Sequence, residues 1–254
     1  MKLLESMVVA FSMYSKIPMP QIQWKKDNMR FALCFFPVIG VLIGALICLW
    51  GCVSRMLPFG NLFTGAVFVL IPVLVTGGIH LDGLLDTADA LSSWQTRERR
   101  LEILKDSHAG AFAIIVCGAY FIMSLGIWSE VQLSGLPVLA AGFVLSRSLS
   151  GFGIAAFPCA KDSGLARTFA DGADRKKCRG ILFLEAAAAT ALMIWFQPGA
   201  GLLGAAAGWL VFLACRRMCM KKFGGITGDT QGFFLQMCEL IMAMAVIIGD
   251  VLWF

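Results

Sequence analysis

Long apolar runs recur through this sequence, each ended by a short polar segment. A helix needs about 20 apolar residues to cross the hydrocarbon core of a bilayer. Inside that core every backbone group must be paired within the protein, which makes the helix the natural spanning element. The runs at 31–56, 62–79, 109–128, 136–157, 180–196, 199–215 and 233–254 are read as spans. Residues 3–14 are apolar but too short to cross, and are expected to form an interfacial or re-entrant helix. Only 15% of the residues are charged, against about 25% in soluble domains. The expected fold is all-α. It is a single integral membrane domain over 1–254, a polytopic bundle of about seven transmembrane helices with its polar loops on the cytoplasmic face.

The basic residues support that count. All but two of the 21 Lys and Arg fall in 2–30, 97–105, 161–179 and 216–222, which alternating spans place on one face. The exceptions are Arg55, on the other face, and Arg147, inside the fourth span. The positive-inside rule makes the basic face cytoplasmic. The net charge of +5 is then topology, and no nucleic-acid partner is expected. Loops on the other face are short and nearly chargeless. A transporter needs gates towards both sides, so the asymmetry favours an enzyme over a transporter or a non-catalytic membrane partner. The nine cysteines include no CxxC pair and read as core residues.

One polar stretch stands out after the second run: Gly77-Gly78-Ile79-His80-Leu81-Asp82-Gly83-Leu84-Leu85-Asp86-Thr87-Ala88-Asp89. On a helix, Asp82, Asp86 and Asp89 stand at i, i+4 and i+7, within roughly 60° of one another. Three carboxylates on one stripe repel unless a cation sits among them. Hard divalent ions such as Mg²⁺ take oxygen ligands and complete their shell with substrate phosphates. A Mg²⁺–phosphate site at the end of a membrane helix follows as an expectation.

Other candidates lie on the same face. Residues 97–105 form an amphipathic stretch in which Arg97, Arg99, Arg100 and Lys105 suit either phosphate oxygens or anionic lipid. Asp106 and Ser107 are placed to cap the third span. Lys161 sits beside a Gly164 turn and is positioned to close over an anion. Residues 224–232 form a glycine-rich loop with Gly225, Thr227, Gly228 and Asp229, suited to close backbone approach to phosphate. Arg147 inside a span requires either an ion pair, with Glu185 or Glu239, or an anionic substrate group.

Taken together these residues match a known pattern. The Gly-Gly-Ile-His80-Leu-Asp82-Gly83-Leu-Leu-Asp86-Thr-Ala-Asp89 string is followed by Arg97-x-Arg99-Arg100 and Lys105-Asp106-Ser107, then by Gly225-Ile-Thr227-Gly228-Asp229 and Glu239. With Pro18-x-Pro20 and Phe35-Phe36-Pro37-x-x-Gly40, the chain resembles the cobalamin synthase family, the adenosylcobinamide-GDP ribazoletransferases. Ala113 departs from a glycine expected after Gly110. The resemblance implies a Mg²⁺-dependent enzyme of the inner membrane. It would join adenosylcobinamide-GDP to α-ribazole, or its 5′-phosphate, and release GMP. Asp82, Asp86 and Asp89 would hold metal, with Asp229 as a further ligand. His80 would be the first choice for general base and one of the aspartates the second. The arginines, Lys105, Arg147, Lys161, Gly225, Thr227 and Gly228 would bind substrate. Partners would be the lipid bilayer, other late corrinoid-pathway enzymes and a second copy in a homo-oligomer. The runner-up enzyme is a phospholipid-making CDP-alcohol phosphotransferase, disfavoured because Asp86-Thr87 stand where that family has Ala-Arg.

Overall fold

A computed structural model describes residues 2–106 and 108–253. Twelve helices follow one another among them: α1 (Lys2–Tyr14), α2 (Lys26–Met29), α3 (Phe36–Ser54), α4 (Asn61–Thr76), α5 (Ile79–Ser92), α6 (Arg97–Ile103), α7 (Ala111–Glu130), α8 (Leu136–Ala156), α9 (Leu165–Gly172), α10 (Arg175–Phe196), α11 (Pro198–Lys222) and α12 (Gly228–Trp253). Single 3₁₀ turns, Ala32–Phe35 and Leu133–Gly135, lead into α3 and α8. The protein is an all-α polytopic membrane bundle. Six helical segments are long and apolar enough to span alone, and α4 makes the seventh crossing if the bent pair it forms with α5 counts as one.

The core gathers around α8, which is buried along most of its length. It packs on α3 and α10, while α11 pairs with α12. Small residues set the approach. A Cβ on Gly44 would stand 2.9 Å from the Ala140 Cα, and one on Gly40 would run into the Phe143 carbonyl. The Gly40-x3-Gly44 pair therefore seats α3 on the backbone of α8, the small-xxx-small solution used where lipid offers no hydrophobic drive. Helix α1 tucks into the bundle, burying Ser6, Val9, Ala10 and Tyr14. The nine cysteines are free thiols, five of them buried.

Several boundaries move from the sequence reading. The fifth and sixth spans carry their helices out into the basic segments, through Arg175–Arg179 and Arg216–Lys222. Hydropathy ends at the first charges, but Lys and Arg are good helix formers whose stems lie along the apolar surface. The glycine-rich segment at 224–232 is only half loop, because α12 starts at Gly228 and takes Asp229 into its first turn. Between α4 and α5 the chain turns by 95°. Gly77 and Gly78 make that corner at φ of 65° and 79°, values that penalise any residue with a Cβ. Helix α5 therefore leaves the axis of α4 and packs along α12.

This topology predicts which positions share a face. In a cysteine-free background, Trp94→Cys (after α5) and Gln132→Cys (between α7 and α8) should react with a membrane-impermeant maleimide from opposite sides of oriented vesicles. Labelling of both from one side would mean a miscounted crossing.

Candidate active site

Helix α5 has two faces. His80, Gly83, Leu84, Thr87 and Ala88 are buried, the i, i+3, i+4, i+7 pattern of a docked helix. Asp82 is exposed and Asp86 and Asp89 are half-buried on the other side. The acid stripe expected from spacing is therefore present on a helix that faces water.

What completes the stripe comes from α12. The two helices cross at a pair of glycines. A Cβ on Gly83 would stand 2.7 Å from the Asp229 carbonyl oxygen, and one on Gly232 would stand 2.8 Å from that of His80. This backbone contact sets Asp229 beside the α5 carboxylates. The start of α12 is fixed by Thr227 and Thr230. The Thr230 amide donates to Thr227 Oγ1 at 3.1 Å, and the Thr227 amide donates to Thr230 Oγ1 at 2.9 Å, a reciprocal cap. The preceding residues are tied to the segment after α8. Ile226 N–H donates to the Pro158 carbonyl at 2.9 Å, and Ala160 N–H donates to that of Ile226 at 2.8 Å. That short parallel bridge delivers Lys161, whose Nζ lies 3.5 Å from Asp229 Oδ2.

The electrostatics follow from the crowding. Partial burial, together with the charges of Asp82, Asp229 and Asp89, pushes the Asp86 carboxyl up to about 6, with Lys161 pulling the other way. Asp89 has a structural task. Its two oxygens accept the amides of Gly110 at 2.6 Å and Ala113 at 2.9 Å, so it caps α7 from another helix. Asp106 does not make that cap; it binds His108 instead, and Ser107 lies outside the described residues. No cluster of three His, Cys, Asp or Glu side chains stands ready to enclose a metal ion among the described residues. Mg²⁺ asks for less, since one or two carboxylates with water and phosphate complete its shell. The oxygen-only donor set of Asp82, Asp86 and Asp229 fits such an ion.

His80 points elsewhere. It lies about 200° around the helix from Asp82, inside a pocket with Tyr14 and Phe36, ring centroids 6.4 and 5.7 Å away. Burial, and then the nearby Arg147 charge, push its imidazole down to about 3. It is thus a buried ring on the side of α5 away from the carboxylates, poorly placed to take a proton from a substrate beside them. Arg147 is buried as well and donates to Glu239 Oε1 at 2.7 Å. Ser146 Oγ donates to the same oxygen at 2.9 Å. Of the two partners expected from sequence, Glu239 holds it. Of the cations in 97–105, Arg97 is exposed and lays its guanidinium against Gly224. Arg99 turns outward to Glu102 at 2.7 Å, Arg100 is half-buried and Lys105 is exposed. Gly225 and Thr227 are buried, while Gly228 is exposed. Sequence reasoning missed Gly110, Gly83 and Gly232 as the residues that set the spacing.

Two cavities matter. The larger, about 840 Å³, opens on the opposite face between the α3–α4 and α7–α8 connections, remote from every carboxylate described above. A smaller one of about 140 Å³ lies against Asp229, Lys161 and Thr227.

Residues 6–247 match the family model described as cobalamin-5-phosphate synthase. A protein of Lachnoclostridium phytofermentans named adenosylcobinamide-GDP ribazoletransferase is 42% identical over 250 residues, 98% of this chain and 96% of its own. Similar proteins of the same name occur in Clostridium botulinum (strain Alaska E43), 32% identical over 94% of this chain and 95% of that one, and in Desulfitobacterium hafniense, 30% identical over 93% and 94%. No solved structure matches.

Two outcomes follow from this geometry. With the Asp86 carboxyl raised, the cost of its charge is small at about pH 4, builds up between the unfolded value of about 4 and the folded value of about 6, and is constant above that. In EDTA-treated protein, Asp86→Asn should match the wild-type melting temperature at pH 4 and exceed it at pH 8. Equal midpoints at both would remove the crowding. Secondly, Arg147→Met should cost about 3–5 kcal/mol by stranding Glu239, and Arg147→Met with Glu239→Leu should recover most of it. Thermal melts in detergent test the pair.

Proposed function

The chain belongs to the cobalamin-5-phosphate synthase family, and on that premise we propose the reaction it runs. Adenosylcobinamide-GDP and α-ribazole, or α-ribazole 5′-phosphate, are joined to give adenosylcobalamin or its 5′-phosphate, and GMP leaves. The observation that carries the reading is the meeting of Asp82, Asp86 and Asp229 beside Lys161, built by the Gly83–Gly232 crossing.

Roles follow from position. Asp82 and Asp229 would hold Mg²⁺. When bound, that ion would supply charge neutralisation on the pyrophosphate. Asp86, which takes up a proton more readily than an ordinary carboxylate, leaves the metal to Asp82 and Asp229 and accepts the proton of the attacking ribose hydroxyl. The hydroxyl bonds to the cobinamide-side phosphorus while the bond from that phosphorus to the bridging oxygen breaks. Lys161 and Arg97 hold the phosphate oxygens in line. Asp89 keeps α7 docked against α5, and His80, Arg147 and Glu239 form the floor behind it. The basic face is cytoplasmic by the charge bias of its loops, so all substrates arrive from that side.

The test is GMP release by purified protein given adenosylcobinamide-GDP, α-ribazole 5′-phosphate and Mg²⁺. Release should require all three. Asp82→Ala, Asp86→Ala and Asp229→Ala should each lower kcat by about 10²–10³-fold or more at unchanged yield of folded protein. His80→Ala should act through stability rather than through the pH profile of kcat. Wild-type rates in the aspartate variants would sink the site assignment.

A further inference from the structure

The cavity of about 140 Å³ beside Asp229 has a wall that the reaction centre does not use. Lys161 forms the side shared with the carboxylates. Its Nζ stands 3.5 Å from Asp229 Oδ2 and 3.4 Å from the Leu104 carbonyl. Across the space stand Ser163 and Arg167, with Thr227 and Gly228 at the start of α12. Gly164, at a φ of 102°, turns the chain sharply from Ser163 into α9, so Ser163 and Arg167 flank that corner and line one space. Arg167 Nε donates to Asp171 Oδ2 at 2.7 Å, one turn further along α9, and Nη1 lies 3.9 Å from Asp162 Oδ1. The Asp171 bond orients the guanidinium by one edge. Its side chain remains 41% exposed and can share its other nitrogens.

Two cations and a hydroxyl around a small space make a site for one compact anion. Thr227 and Gly228 put the start of α12, the positive end of its dipole, on the same wall. Size narrows the choice. A cavity of about 150 Å³ takes a benzene-sized molecule, which suits a phosphate group and not a nucleoside. The proposed reaction brings two separate phosphate systems to this face. One is the reacting pyrophosphate, which belongs with the carboxylates and the cation they hold. The other is the 5′-phosphate of the acceptor, which does not react but sits on the same ribose as the attacking hydroxyl. It must therefore lie one sugar away from the reacting phosphorus. Asp229 borders both the carboxylate group and the cavity, so the two places have that adjacency.

We propose that this cavity is the site for the acceptor's 5′-phosphate monoester, with Arg167 as the residue that distinguishes phosphorylated from unphosphorylated α-ribazole. Lys161 bridges the two phosphate systems and Ser163 donates its hydroxyl. The proposal rests on the ribazoletransferase reading above. Because Asp171 shares the guanidinium, phosphate recognition is an aid to binding rather than a condition for turnover, and either acceptor can react.

The experiment compares the two acceptors at saturating adenosylcobinamide-GDP. Arg167→Ala should raise KM for α-ribazole 5′-phosphate about 10- to 100-fold, the worth of one or two lost charge-assisted hydrogen bonds. KM for α-ribazole should hold, so the preference between acceptors collapses. Ser163→Ala should shift the same ratio in the same direction by less, and Arg167→Lys should recover part of it. Equal changes for both acceptors would overturn the proposal, as would a change confined to KM for adenosylcobinamide-GDP, which would give the cavity to the donor. A wild-type protein that releases GMP with neither acceptor would overturn the underlying reading and this one with it, a result distinct from the other two.

Discussion

The contact on which the rest depends is between two backbones. Gly83 of α5 and Gly232 of α12 touch with no side chain between them. A Cβ at either position would stand within 3.0 Å of the facing backbone and force the helices apart. Interiors packed to crystal density do not absorb such a shift without loss. A carboxylate group assembled from two helices has a spacing set by their separation, and ligand geometry tolerates only a few tenths of an ångström. The glycines are therefore as much a part of the acid cluster as the acids are, although they contribute no atom to it.

A second constraint works from the other side. Four acids cannot be held near one another without something offsetting their repulsion. This protein offsets part of it with backbone dipoles and part with Lys161. Asp89 is satisfied by the amides that open α7, where a helix carries partial positive charge. Asp229 has Lys161. Asp86 is only partly offset by Lys161 and takes the strain as a raised proton affinity. The burden of the crowding therefore falls on one carboxylate.

Much of this was legible before any coordinates. Hydropathy located the spans because lipid imposes a minimum apolar length, and the basic residues sorted the loops into two faces. The i, i+4, i+7 spacing of Asp82, Asp86 and Asp89 was legible because α5 is helical. The same arithmetic, carried two residues back, would have turned His80 to the buried side; its motif position obscured that. Other features were not legible for physical reasons. Asp89 caps a helix that begins 22 residues later, and a bare amide leaves no mark in a sequence. The nearness of Asp229 to Asp86 depends on a glycine-to-glycine crossing, and a glycine is an absence of side chain. Helix ends ran past the hydropathy boundaries because charge stops a span without stopping a helix. Arg97 was singled out for its charge, but its seat on Gly224 comes from tertiary packing.

The corner at Gly77–Gly78 carries a consequence of its own. By turning α5 off the axis of α4, it keeps the acid cluster on the side that carries the basic loops. On a membrane protein that side meets the surface potential of the leaflet. Anionic lipids gathered by the surrounding Lys and Arg side chains enrich cations and deplete polyanionic solutes within a Debye length. Rate and affinity for such an enzyme are joint properties of the protein and the bilayer, and the lipid composition of the membrane becomes a means of setting its throughput.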